Sequence, residues 1–135
     1  MSDQDTMART IYGEARGEGQ AGMIAVANVI LNRFALWDKH PHFGHGTIES
    51  VCLAPWQFSC WNQNDPNSAL IKSVTFSEPT FAECLQIASD ALIGGIDDNT
   101  NGATYYKVIG TNASWSSGKS PCAIIGHHEF YKGIC

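Results

Sequence analysis

Apolar residues recur at helical spacing in three stretches of the chain. Met23, Ala27, Ile30, Leu31 and Phe34 fall on one face of a helix, while Asn28 and Asn32 share another. Upstream, Ser2 or Asp3 is placed to cap a first helix that runs through Met7, Ala8 and Ile11 toward Gly13. Glycines at 13, 17, 19 and 22 interrupt regularity there and leave Glu14 where the helix ends or bends. Downstream, Thr80 and Glu83 have capping-box spacing ahead of Phe81, Leu85, Ala88, Ala91 and Leu92, and Gly94-Gly95 closes that helix.

The pattern changes after residues 97–102, a polar run that reads as a turn. Residues 103–109 are rich in β-branched and aromatic side chains and are predicted as a strand, and residues 123–131 as another. A Gly-, Ser- and Asn-rich stretch, 110–121, joins them as a long hairpin loop whose one large apolar residue is Trp115. Residues 36–76 show little periodicity and are expected as loops and short turns; loops of that length are often functional. Helices first and a small sheet last predict an α+β fold, mostly helical with a small C-terminal antiparallel sheet. No linker or repeat divides the chain, so residues 1–135 are expected as one domain.

Composition narrows the partners. Only 16% of the residues are charged and the net charge is -5. Without a basic run, phosphate neutralisation cannot supply affinity, which excludes nucleic acid and anionic lipid. Polarity carried by Asn, Ser, Thr, Gln and Gly suits a neutral polar ligand instead. No stretch approaches the ~18 apolar residues of a membrane span, so no membrane insertion is expected. The acidic start, Met1 to Asp5, lacks a basic and then apolar leader, which predicts a chain made in the cytoplasm without a signal peptide. Five cysteines point toward an oxidising compartment. Two bridges and one leftover thiol allow fifteen pairings, and the sequence does not choose among them.

Three groups of residues carry chemistry. Glu14 and Glu18 lie four apart beside Tyr12 and Arg16, on one face if the helix persists. A carboxylic acid against aromatic walls has its charged form disfavoured and suits proton donation to a glycosidic oxygen. His40, His42, His45, His127, His128 and Glu129 could furnish zinc ligands, but without the helical spacing of a zinc protease motif; no metal is expected. If 123–131 is a strand, His127 and His128 face opposite sides and one reaches a cleft. Gln57, Phe58 and Ser59, flanked by Trp56 and Trp61, combine with Tyr105, Tyr106, Trp115 and Tyr131 to offer amides, hydroxyls and rings, which is what a sugar groove needs.

These residues also carry a resemblance. Residues 8–18 (ARTIYGEARGE), residues 24–33 (IAVANVILNR), Gln57-Phe58-Ser59, Gly102-Ala103-Thr104, Trp115 and Ile125-Gly126 with His128, Phe130 and Tyr131 resemble, in order, the cell-wall hydrolases that include the SleB-type spore-cortex-lytic enzymes. The resemblance implies a lysozyme-like domain cleaving peptidoglycan glycan strands after N-acetylmuramic acid or its lactam, as a lytic transglycosylase or muramidase. It implies that Glu14 acts as acid and then base, that Glu18 positions Arg16 or the local backbone, and that Tyr12, Gln57, Ser59 and His128 orient substrate or the glutamate. Phe58, Tyr105, Trp115 and Tyr131 are expected to contact sugar. No cofactor is implied, a monomer acting on the cell wall is expected, and a phage endolysin is compatible with the missing leader. Where relatives often carry a histidine after Gly-Ala-Thr, this chain has Tyr105. A zinc-dependent amidase or endopeptidase, and a non-catalytic wall-binding module, are the alternatives from other classes.

Overall fold

The computed structural model describes residues 1–135 as five α-helices, three short 3-10 turns and a three-stranded antiparallel sheet. Helix α1 (Asp3–Ala15) begins at the expected cap: the Asp5 amide donates to the Ser2 hydroxyl, and Asp3 and Asp5 occupy the first turn, where the helix dipole favours negative charge. The helix continues through Gly13, so Glu14 belongs to its last turn. Gly13 serves close packing. A Cβ there would stand 2.7 Å from Cys60 Cβ and 2.9 Å from Ile71 Cγ2, so glycine is what lets the 57–71 region close against α1.

Helix α2 (Gly19–Phe34) runs through the middle of the molecule. Ala25, Val26 and Val29 are buried as fully as Met23, Ala27 and Ile30, while Leu31 and Phe34 are only partly covered. A helix apolar around most of its circumference needs neighbours on every side, and α2 packs against three other helices. Its asparagines tie down the turn before the sheet. Asn28 donates to the Asp97 carbonyl at 2.9 Å and Asn32 to the Ala103 carbonyl at 2.9 Å. Within that turn the Asp98 carboxylate accepts from the amides of Thr100 and Gly102, the local bonding that makes aspartate a turn residue.

The stretch 36–76 departs from expectation. It holds α3 (Ile48–Leu53), α4 (Asn67–Ser73) and the 3-10 turns Pro41–Phe43 and Ser59–Trp61. Helices of two turns present too few positions for a period to show, and packing rather than propensity holds them. Helix α5 (Pro79–Leu92) starts two residues earlier than the Thr80 capping box requires. Glu78 is the cap, its carboxylate accepting from the amides of Thr80 and Phe81, with Pro79 in the first turn where its missing N–H is harmless.

The sheet also differs. Residues 123–131 form two strands, β2 (Ala123–Ile125) and β3 (His128–Tyr131), folded about Gly126, whose φ of +57° is the left-handed conformation glycine tolerates. Strand β1 (Tyr105–Val108) pairs with β3, so the order is β1-β3-β2 and the long 110–121 connection crosses to the far edge. Tyr106 opposite Phe130 sets one face of the sheet toward the helices, while Val108, on the same face, stays exposed. Phe130 is fully buried in the cluster to which α1, α2, α3, α4 and α5 all contribute. The expected architecture of helices followed by a small antiparallel sheet is the observed one. All five cysteines are thiols. Cys52, Cys60 and Cys84 are buried in the core, where desolvation pushes the thiols of Cys52 and Cys84 up to about 12.

Candidate active site

Glu14 stands where three separate parts of the chain meet. From the Ser59–Trp61 turn the Cys60 amide donates to Glu14 Oε2 at 3.2 Å, and from β1 the Tyr106 hydroxyl donates to Oε1. Three hollows share this carboxylate, two of which carry most of the expected site residues. One, of about 340 Å³, extends over Arg16, Glu18, Asn67, His127 and His128. The other, of about 330 Å³, extends over Arg33, Gln57, Ser59, Tyr105, Tyr106 and Trp115. Glu14 thus lies at the middle of the floor of an open groove with a charged half and an aromatic half.

A model of the family described as cell wall hydrolase matches residues 17–131 of this sequence. This chain belongs to the cell wall hydrolase family. Glu14 lies just ahead of the matched span. The spore cortex-lytic enzyme of Halalkalibacterium halodurans is 33% identical over 130 residues, 96% of this chain and 34% of that protein. The one from Bacillus subtilis is 28% identical over 96% of this chain and 37% of its own length. The chain therefore spans little more than a third of either protein. Among solved structures, the catalytic domain of the germination-specific lytic transglycosylase SleB from Bacillus anthracis superposes with a TM-score of 0.72 at 29% identity, covering 96% of this chain and 93% of that one. The catalytic domain of the Bacillus cereus SleB protein gives 0.73 at 30%, with 96% and 89% covered.

Of the residues expected at the site in this cell wall hydrolase, Glu14, Arg16, Glu18, Gln57, Ser59, Tyr105, Trp115 and His128 line the groove. Three others do not. Tyr12 is 6% exposed, edge-on to Phe81 with ring centroids 5.8 Å apart and beneath the Arg16 guanidinium, so it anchors α1 to α5. Phe58 is buried behind Arg33, whose guanidinium lies 4.6 Å from its ring centre. Tyr131 is buried and supports Trp115 edge-on at 5.2 Å while donating to Glu129 at 3.0 Å. Side-chain alternation along β3 accounts for Tyr131, close packing of α1 for Tyr12, and packing against Arg33 of α2 for Phe58.

Glu18 does not pair with Arg16. The Arg16 guanidinium donates to Asn67 at 2.6 Å and to the Tyr12 carbonyl, whereas Glu18 holds the β2–β3 turn. Its carboxylate accepts from the His127 amide at 2.9 Å, lies 2.8 Å from His127 Nδ1, and lies 3.0 Å from His128 Nδ1. Because the strand is broken at Gly126, both histidines reach the groove rather than opposite sides of a sheet. Gly22 makes room for this arrangement, since a Cβ there would lie 2.4 Å from Glu18 Cβ. The remaining histidines stay apart: His40 and His42 stack beside Phe43, and no three His, Cys, Asp or Glu side chains gather as a metal-holding group.

The turn clamp is pH-dependent. The hydrogen bond with Glu18 raises the His127 imidazole above its ordinary 6.5, and the same bond lowers Glu18 below its ordinary 4.5 against the opposing effect of burial. The ionised pair is complete between those two ordinary values. It weakens above them as His127 deprotonates through its raised pKa, and below them as Glu18 protonates through its lowered one. With the His127 ring largely exposed, the effect is local rather than global. The protection factor of the His127 amide against hydrogen exchange is therefore expected to peak between pH 4.5 and 6.5. Glu18→Gln should flatten the profile, and a flat profile in the wild-type protein would remove the clamp.

Three contributors are not among the expected site residues: the Cys60 amide, Asn67 and Arg33. Arg33 stands in the last turn of the apolar helix α2. In the fold it is 3% exposed, donating to the carbonyls of Thr104 at 2.6 Å and Gln57 at 3.3 Å and lying over the rings of Phe43, Phe58 and Tyr105. Burial pulls its pKa down, opposed by the nearby Tyr106, Tyr105 and Glu14. Tyr106, expected among the rings of a sugar groove, instead reaches Glu14 through its hydroxyl, on the same face of the sheet as His128.

Proposed function

We propose that this cell wall hydrolase cleaves the glycan strand of peptidoglycan, with residues 1–135 acting as one catalytic unit and Glu14 as general acid and then general base. The observation that carries the reading is that Glu14 is the one carboxylate at the centre of the groove free of a basic partner. The only other one lining either half, Glu18, is occupied by His127 and His128. A double displacement would need a second carboxylate as nucleophile, facing the first across the sugar. A single glutamate suffices when the nucleophile comes from the substrate.

In that mechanism protonated Glu14 gives its proton to the bridging oxygen as the bond to the muramoyl C1 breaks. The muramoyl C6 hydroxyl then attacks C1, Glu14 takes its proton, and a 1,6-anhydro ring closes. Tyr106 and the Cys60 amide donate to the carboxylate, so they fix its direction and stabilise it once the proton has left. Gln57 and Ser59 supply polar groups and Tyr105 and Trp115 supply rings to the strand on one side, and Arg16 and His128 border it on the other. The same activity is named for the Bacillus anthracis domain this chain resembles. Action on the wall as a monomer accords with the reading, and a net charge of -5 gives no pull toward nucleic acid.

Mass spectrometry of purified peptidoglycan after digestion tests this. Fragments ending in 1,6-anhydro-muramic acid are expected. Reducing ends carrying an added water would assign a muramidase to the same glutamate, and free stem peptides with intact glycan would overturn glycan cleavage.

A further inference from the structure

The largest hollow in the molecule, about 640 Å³, lies outside the Glu14 groove, between the end of α3 and the start of α4. Trp56 lines both this hollow and the aromatic half of the groove, so its ring borders the two. That tryptophan is 82% exposed, and its φ of +65° is a left-handed backbone that costs a bulky residue about 1–3 kcal/mol. The turn it closes, in which the Gln57 amide donates to the Ala54 carbonyl at 3.2 Å, would accept glycine there without that strain. The far wall carries the side-chain amides of Asn62, Gln63 and Asn64, which are half-buried or exposed and make no side-chain hydrogen bond in the structure. The only ionisable group lining it is Asp65, which already accepts from the Asn67 amide at 2.8 Å. No cation lines the hollow, so an acidic peptide finds no counter-charge there.

We infer that this hollow binds a neutral N-acetylated sugar unit of the glycan strand, extending the groove past Trp56. The indole face takes the C–H face of the sugar, and the free amides of Asn62, Gln63 and Asn64 bond its hydroxyl and acetamido groups. The inference rests on the glycan-strand reading above and adds to it a specificity for strand length.

Calorimetric binding of β-1,4-linked N-acetylglucosamine oligomers to the Glu14→Gln protein tests it, since these neutral probes are bound without being cleaved. The hexamer is expected to bind at least about tenfold more tightly than the dimer, the gain of one or two net hydrogen bonds plus ring contact. A combined Asn62→Ala, Gln63→Ala, Asn64→Ala variant should bring the two within about twofold, with dimer binding unchanged. Trp56→Gly should do the same to the length preference while suiting the left-handed backbone, so that loss of folding is not the cause. A hexamer preference that survives both variants, or is absent from the start, overturns the inference. The glycan-strand reading fails separately, if the wild-type protein releases no glycan fragments from peptidoglycan.

Discussion

Glu14→Gln is expected to lower the rate of glycan release at least ~100-fold, because proton transfer by a positioned acid and base contributes 10² to 10⁴. Glutamine matches glutamate in size and keeps an oxygen that accepts from either Tyr106 or the Cys60 amide. One donor loses its acceptor at a half-buried site, so stability should change by only about 1 kcal/mol. The two effects are separated by following the clearing of a peptidoglycan suspension alongside thermal unfolding by circular dichroism. Glu18→Gln is the informative companion. It loosens the β2–β3 turn without touching the proton path and should retain activity within about tenfold. Full activity in Glu14→Gln would remove the mechanism. Equal losses in the two variants would mean that the groove needs two carboxylates.

The largest effect on stability is expected at Arg33. Arg33→Ala leaves the Thr104 and Gln57 carbonyls without their donor, at about 1–3 kcal/mol for each group that stays buried. It also opens a void among Phe43, Phe58 and Tyr105, whose ring centres all lie within 5.5 Å of the guanidinium. A loss of about 3–5 kcal/mol in urea unfolding is expected, which for a domain of ordinary stability leaves little of the native state. Arg33→Met refills most of the volume but none of the hydrogen bonds and should lie between the two. Arg33→Lys keeps the charge yet cannot lie flat against three rings. A loss below about 1 kcal/mol in the alanine variant would show that the guanidinium is solvated and the stacking incidental.

Much of the architecture is local and therefore legible. Ser2 ahead of Asp5, the apolar run of α2, and the α5 pattern of Phe81, Ala88 and Ala91 each specify a helix through neighbours within a turn or two. The failures are equally physical. Helices α3 and α4 are too short to show a period, and Glu78 takes over the cap from Thr80 because two amides point at its carboxylate. Residues 123–131 carry strand propensity throughout, and only the left-handed Gly126 divides them. Gly13 and Gly22 read as interruptions of helices but serve as contact surfaces, a use that depends on what packs against them.

The sequence by itself determined that this is a mostly helical α+β chain of low charge, with a glutamate at the end of its first helix and amides and rings suited to sugar. Motif order carried that glutamate to a cell-wall hydrolase reading. Only the tertiary structure decided which groups meet it. The Cys60 amide comes from 46 residues away and the Tyr106 hydroxyl from 92, and neither separation leaves a local trace. The same convergence fastens Glu18 to a turn 109 residues on instead of to Arg16, and hides Tyr12, Phe58 and Tyr131 behind the groove they were expected to line. Periodicity tells a residue which face of its own element it occupies. What that face meets is fixed when the elements pack and buried polar groups must find partners from distant parts of the chain.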